Sequence, residues 1–383
     1  MYQEISVKCV RDIDQLETYA AAWDELTARC PEQLPQSSHA WVSTFLKYRL
    51  KPEQRWCCLI ALQGTQFVGV LPVIISHRKL MGFSCTELRT PGDSHTRSVA
   101  LLAAPENEAQ VVRAIISSLD AVDPKWSWLY MERIPVLSPA VKCLYSGGGN
   151  GLGYHELANL GAFLPTVGVY ADYRKSLKPK WRSNLTNYSN RLSSYENVRY
   201  ECGEVQSTGV DGLSRFLEVE NANWKGREGS AIAKIPDLVE FYMALADRLS
   251  RRGWLQLHFL VAEGKTIAGA FDIKCGRSLF GHKMGYDENY SKCSPGNILL
   301  ECVLRHAFES PQIDRMELIS DPPWAQNWNV QKREFHHVWF YRKRAVPLLL
   351  GYFPRIVRRK LRQISFLRAA VRYVRRLIDR PAA

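Results

Sequence analysis

In the second half of the chain, apolar and polar positions alternate in short runs broken by turn residues. LQLHFLVA, the turn Glu263-Gly264-Lys265, TIAGAFDIKC, the turn Gly276-Arg277 and SLFGHKMGYD predict three antiparallel strands joined by tight turns. SPGNILLECVLRHAF then predicts a loop and a helix, MELIS a short strand, and EFHHVWFYR a final strand. Upstream the spacing lengthens to three or four. Trp181, Leu185, Tyr188 and Leu192 form a helical stripe behind Pro179, and residues 213–224 and 236–251 predict two further helices. The first half has the same ingredients. Ile13, Leu16, Tyr19, Ala20, Trp23 and Leu26 share a helical face, and so do Val111, Val112, Ile115, Ile116 and Leu119. Residues 56–62, 67–75 and 126–131 predict strands, the first two joined by the turn Gln63-Gly64-Thr65. SGGGNGLG at 146–153 predicts a flexible connection, because its glycines do not fall into GxGxxG. No internal sequence repeat is visible.

The 383 residues suffice for two domains, and 46% hydrophobic with 23% charged residues is the balance of a folded protein with a sizeable core. The ten cysteines form no CxxC pair, and the N-terminus carries no basic stretch followed by an apolar core. Reduced thiols in a cytoplasmic protein are therefore expected. With no apolar run of the necessary length, no membrane-spanning helix is expected.

Net charge changes the picture by its position. Between Arg342 and Arg380 lie thirteen Lys or Arg and one acid, Asp379, so +12 of the net +13 resides there and residues 1–341 are left at +1. That argues away from a nucleic-acid-binding body. In the same segment Ile356 or Val357, Leu361, Ile364, Leu367, Val371, Val374 and Ile378 recur every three or four residues among arginines. Such a stripe is the pattern of a helix lying on an anionic membrane surface, at the inner face of the membrane; the other readings are a last helix packed on the body, or RNA binding.

The chemistry-bearing residues concentrate between 281 and 328. Ser294-Pro295-Gly296-Asn297-Ile298 opens a helix, where unpaired N–H groups and the helix dipole suit a pyrophosphate, or simply make a Pro-capped helix. The four histidines His258, His282, His336 and His337 sit in strands at no metal-ligand spacing, and no metal is expected. Asp93 and His95 in PGDSHTRS are either a pocket feature or turn polarity. No GxSxG elbow is present.

Tyr173 with the basic helix 180–192, Trp224-Lys225, GAFDI, Tyr286-Asp287, Tyr290, Ser294-Pro295-Gly296 with Leu299, and the acid-bearing stretch 317–321 resemble the cellulose-biosynthesis-type acetyltransferases of the GNAT superfamily. The resemblance covers about residues 165–341, and that branch is distantly similar to the Fem peptidyltransferases. It implies an α/β (α+β) fold of two tandem GNAT-like domains, with mixed, mostly antiparallel sheets flanked by helices. The expected division is a catalytically degenerate domain at 1–160, the acyltransferase domain at 161–345 and a basic amphipathic tail at 346–383.

It further implies transfer of an acetyl or other acyl group from acyl-CoA to an amino group. The implied acceptor is an amino sugar or lipid-linked precursor of surface polysaccharide. Such a transfer must deprotonate the amine, polarise the thioester carbonyl and protonate the leaving thiolate. On that footing Asp321 is the candidate base, Asp287 a second one and Tyr286 the proton donor. Ser294, Gly296, Asn297 and Ile298 would hold the donor, and Trp224, Lys225, Trp324 and Trp328 would line the acceptor pocket. Each has a plainer reading: Asp321 as a turn cap before Pro-Pro, Asp287 as a turn residue, the tryptophans as core. Where the family carries Gly-Asp-Glu and then Tyr-Lys, this chain has Ser320-Asp321-Pro322-Pro323-Trp324. Two other functions stay open: a Fem-like aminoacyl transferase using charged tRNA, and a catalytically degenerate membrane-surface scaffold.

Overall fold

The computed structural model describes residues 4–136, 138, 151–203 and 209–363. Thirteen strands form one sheet. The first half contributes β1 (Ile5–Val10), β2 (Arg55–Gln63), β3 (Gln66–Leu80), β4 (Phe83–Arg89), β5 (Leu102–Ala103) and β6 (Trp126–Pro135). The second contributes β7 (Gly151–Pro165), β8 (Arg199–Gly203), β9 (Leu255–Ala262), β10 (Lys265–Cys275), β11 (Ser278–Tyr286), β12 (Arg315–Leu318) and β13 (Gln331–Arg342). Their order is β1-β2-β3-β4-β6-β13-β7-β12-β11-β10-β9-β8, with β5 beside β3.

Each half repeats one scheme that the sequence itself does not display. Antiparallel strands lead to one parallel pairing, β4 with β6 and β11 with β12. Each parallel pair is bridged by a helix, α3 (Glu108–Ser117) in the first half and α7 (Pro295–Glu309) in the second, as a parallel connection requires. The halves are fused by β13, which pairs antiparallel with β6 on one side and β7 on the other. A boundary at 160/161 therefore falls inside β7, and the last strand of the second half completes the sheet of the first.

Apolar spacing explains the helices around this sheet. Trp23 and Leu26 of α1 (Ala20–Arg29) and Trp41, Val42 and Phe45 of α2 (His39–Tyr48) are buried. So are Trp181 and Leu185 of α4 (Pro179–Leu192). After α5 (Gly209–Asn221) comes α6 (Pro236–Arg251), which has Pro at its first position and buries Leu238, Phe241, Tyr242, Leu245 and Leu249. The main core runs through both halves and includes Trp41, Phe241, Phe271 and Phe340. A second core, under α4 and α7, covers the other face of the second half and holds Leu185, Leu299, Val303 and Trp328.

The beginning of the basic tail packs onto the body. Val346, Leu348, Leu350, Tyr352 and Ile356 lie against the aromatic cluster Trp128, Tyr154, Trp339 and Tyr341. The chain then continues into α8 (Phe353–Gln363). Ser146–Asn150 of the glycine stretch and the stripe residues from Ile364 onward fall outside the described residues. Gly151 and Gly153 belong to β7, so the flexible connection expected at 146–153 ends in a strand. Among the described residues, no helix is long and apolar enough to cross a membrane.

Candidate active site

The two faces of β11 do different things. Its parallel pairing with β12 lasts only from Ser278 to Phe280, against Arg315 to Glu317. Beyond Phe280 the two strands part. This unpaired part of β11 borders a cavity of about 340 Å³ lined by Met284, Tyr286, Ser291, Ser294, Gly296, Asn297, Leu300 and Trp324. Leu300 and Trp324 also border an apolar recess with Phe163, Leu304, Met316 and Trp328. The start of α7 thus forms one wall of the cavity. Ser294 sits in the left-handed region (φ 46°), and its carbonyl accepts from the N–H groups of both Asn297 (3.0 Å) and Ile298 (3.2 Å). The first turn consequently spends donors internally that the sequence leaves open. The helix dipole remains, there is no acid in this turn, and Arg191 donates to the carbonyl of Lys292 just ahead of it (3.0 Å). The corresponding helix of the first half, α3, carries Glu108 in its first turn, which would repel an anion.

The other face is set by an irregularity. Phe271 pairs with Lys283 and Asp272 with Gly281, so His282 is an extra residue in β11, a β-bulge. The buried Asp272 carboxylate accepts the His282 N–H. The bulge puts two consecutive side chains, His282 and Lys283, among groups on the same side. His282 meets Trp41 edge-on (5.0 Å between centroids), and its Nε2 lies 2.9 Å from the Tyr242 hydroxyl. That hydroxyl is 3.1 Å from His95 Nδ1. One hydroxyl between two imidazoles donates to one ring and accepts from the other. Burial, with Lys283 next in weight, holds His282 well below the usual imidazole range and His95 down to about 4, so both rings are neutral at pH 7.

The loop bearing His95 is pinned by Asp93. Its Oδ1 accepts from the N–H groups of His95 (2.8 Å) and Thr96 (2.7 Å), and its Oδ2 pairs with Arg49 (2.9 Å). From the second half, Lys225 Nζ lies 3.1 Å from the buried Glu220. Lys283 stands in this field. Its ammonium is lowered to about 8, chiefly by burial and next by the Lys225 charge, with Glu220 acting in the opposite sense. Residues of both halves thus build one polar cluster on the face of β11 opposite the cavity.

The acetyltransferase (GNAT) domain family matches residues 179–322. This stretch is a GNAT acetyltransferase domain. Among solved structures, FemX is similar at 10% identity with a TM-score of 0.59, over 86% of this chain and 96% of its own. The C-terminal domain of a candidate lysylphosphatidylglycerol synthetase from Agrobacterium fabrum is similar at 9% identity, TM-score 0.52, over 89% and 97%. These likenesses establish the shared fold, with both halves included. No curated protein matches the sequence.

The residues singled out in the sequence are dispersed. Ser294, Gly296 and Asn297 line the cavity, whereas Ile298 is buried in the core beneath it. Tyr286 lines the cavity too, and Asp287 caps the next turn by accepting from the Asn289 N–H (2.9 Å). Asp321 accepts from Gln326 (2.7 Å) and pairs with Lys332 (2.8 Å). The four acceptor-pocket residues do not converge. Lys225 joins the polar cluster, Trp324 the cavity, Trp328 packs on Trp181 (5.6 Å) and Trp224 is exposed. His336 and His337 diverge, to His155 (2.8 Å) and Tyr130 (2.8 Å) respectively. Sequence reading missed Lys283 and the partnership of His95 with His282. The available signal was two adjacent polar residues interrupting the alternation of SLFGHKMGYD.

Proposed function

We propose that the chain transfers an acyl group from acyl-CoA to an amine, with the donor entering the cavity at the start of α7 and the amine approaching the polar cluster on the opposite face of β11. The observation that carries this is the run of β11 beyond Phe280, where its pairing with β12 has ended: Met284 and Tyr286 line a cavity on one face, and neutral or tunable bases lie on the other. The cavity suits the donor: Met284, Leu300 and Trp324 offer apolar contact to its chain, and the helix start with Arg191 and Lys292 offers positive potential to its phosphates. Lys283 accepts the proton of the amine, since its ammonium is tuned to the range where a lysine serves as base. Tyr286, which lines the cavity, protonates the leaving thiolate in this reading. Asp321, held by Lys332 and Gln326, fits the role of base less well than Lys283. An amino sugar or lipid-linked amine in surface-polysaccharide synthesis is the acceptor class that the resemblance supports. The charge of +1 on residues 1–341 favours this reading over a charged-tRNA donor.

Calorimetry with coenzyme A tests the donor site. A Cβ at Gly296 would lie 3.3 Å from Tyr286 Cδ1, so Gly296→Asp adds both bulk and negative charge to the cavity wall. Saturable binding to the wild type that is lost in G296D is expected. Equal binding by both proteins would place the donor elsewhere.

A further inference from the structure

The β3–β4 hairpin runs beyond the sheet and ends in a turn at Met81 (φ 49°) and Gly82 (φ 85°). Its tip is apolar and open to solvent: Leu80, Phe83 and Met81, the last with 82% of its surface exposed. Its stem carries the exposed cations Lys79 and Arg78, the latter paired with Glu87 (2.9 Å). An intramolecular role would bury such a tip, and this one is not buried.

The π-turn and helix at 348–363 show a second such face nearby. Ile356 and Tyr352 turn toward the body. Arg355 donates to the Tyr341 hydroxyl (2.6 Å) and lies 3.9 Å from the centre of the Trp339 ring. That anchoring turns Leu349, Phe353, Val357 and Leu361 outward, at a constant spacing of four and all exposed. Arg358, Arg359 and Lys360 lie beside this stripe and form no ion pair among the described residues. Seven of the thirteen exposed large apolar side chains among the described residues belong to these two elements, although they are about 270 residues apart in sequence. One cavity of about 410 Å³ joins them, with Arg78, Lys79 and Leu80 on one side and Leu350, Pro354 and Arg358 on the other.

We infer that the β3–β4 hairpin and α8 form a single membrane-docking face, with the apolar tip and stripe entering the lipid interface and the flanking cations meeting anionic headgroups. Apolar residues flanked by arginine and lysine are the chemistry that anionic lipid selects. The basic tail alone had suggested a surface helix. The structure adds a partner from the first half, which fixes the orientation of the body relative to the membrane and does not depend on the acyl-transfer reading.

Vesicle co-sedimentation of the full chain tests this, comparing phosphatidylcholine–phosphatidylglycerol vesicles with pure phosphatidylcholine. Binding to the anionic vesicles that weakens with salt is expected. The double variant Met81→Ser/Phe83→Ser should lower the partition coefficient about ten-fold, a conservative figure for withdrawing one aromatic from an apolar phase. Phe353→Ser/Val357→Ser should do the same, while Val167→Ser, at an exposed apolar site outside both elements, should leave it unchanged. All of these positions are exposed, and unchanged thermal melting confirms an intact fold. Wild-type binding by the hairpin variant, equal binding to both vesicle types, or an equal loss in V167S would each overturn the inference.

Discussion

Replacing Lys283 with methionine keeps the length and apolar stem of the side chain and removes its amine. The structure sets what that amine is worth. Its ammonium is lowered from 10.5 to about 8 by burial, with Lys225 adding to the effect. At pH 7 about one molecule in ten then carries the free base, against about one in three thousand for a solvated lysine. The fold thus raises the supply of base about 300-fold, at about 3 kcal/mol of penalty on the charged form. The assay is release of thiol from acetyl-CoA in the presence of an amine acceptor, followed as kcat/KM against pH. The wild-type rate should climb as pH rises through about 8 and then level off. Lys283→Met should lose that limb and fall by about 10²- to 10⁴-fold, the usual contribution of a positioned base.

Two further measurements separate this role from a structural one. Lys225→Met removes a neighbouring cation, so Lys283 should titrate closer to 10.5 and the limb should move to higher pH. Stability should change in the opposite sense to activity. A lysine whose folded value lies below its unfolded value binds fewer protons in the folded state between about 8 and 10.5, so stability rises with pH across that window. At pH 7 the folded protein bears the cost of the buried charge, and K283M should melt higher than the wild type. A pH limb unchanged in K283M, or one that moves to lower pH in K225M, would refute the assignment of Lys283 as base.

Two predictions concern the frame that holds this site. The Glu220 side chain is 2% exposed, pairs with Lys225 and accepts the Ile232 N–H (2.9 Å), so Glu220→Gln should cost about 3 kcal/mol in denaturant unfolding by leaving a largely buried cation unpaired. It should also move the Lys283 limb to lower pH, opposite to K225M. Truncation before Gln331 removes β13 from between β6 and β7 and should abolish cooperative melting of both halves, whereas truncation after Gln363 should leave the melting transition intact.

Local patterns carried much of the fold. The helix expected at 236–251 matches α6, and the β9–β10–β11 meander follows from alternation and from turns that place Glu263, Gly264 and Gly276 at positive φ. The Ser294-Pro295-Gly296 helix start was legible for the same reason, since everything that defines it lies within a few residues. What local patterns could not supply was partnership over distance. β7 was hidden behind glycines that look like a linker. In the sheet, a Cβ at Gly151 or Gly161 would fall within 2.3 Å of the rings of Phe340 or Phe335, so these glycines make room for aromatic residues of β13 almost two hundred positions away. The site shows the same limit. Asp321 drew notice as an acid at a strand end, but its charge is engaged by Lys332 and Gln326, contacts a sequence does not reveal. Lys283 drew none, because its tuning depends on burial together with Lys225 and Glu220.

The doubled architecture gives the first half a place in the polar cluster of the second. An acyl transfer needs two approaches to one carbonyl, and a flat strand offers alternate residues to each face equally. In β11 the extra residue at His282 breaks that parity. Met284 and Tyr286 face the cavity beside α7, whereas His282 and Lys283 both join the opposite cluster. The polar cluster is then completed by Arg49, Asp93 and His95, all from the first half. That half has the same parallel strand pair and bridging helix, but Glu108 at the start of α3 makes it a poor phosphate site. Its contribution to the cluster is a wall that carries Arg49, Asp93 and His95. The fusion through β13 keeps that wall in register with the bulge, because any slip of β13 against β6 or β7 would move the His95 loop away from Tyr242 and His282.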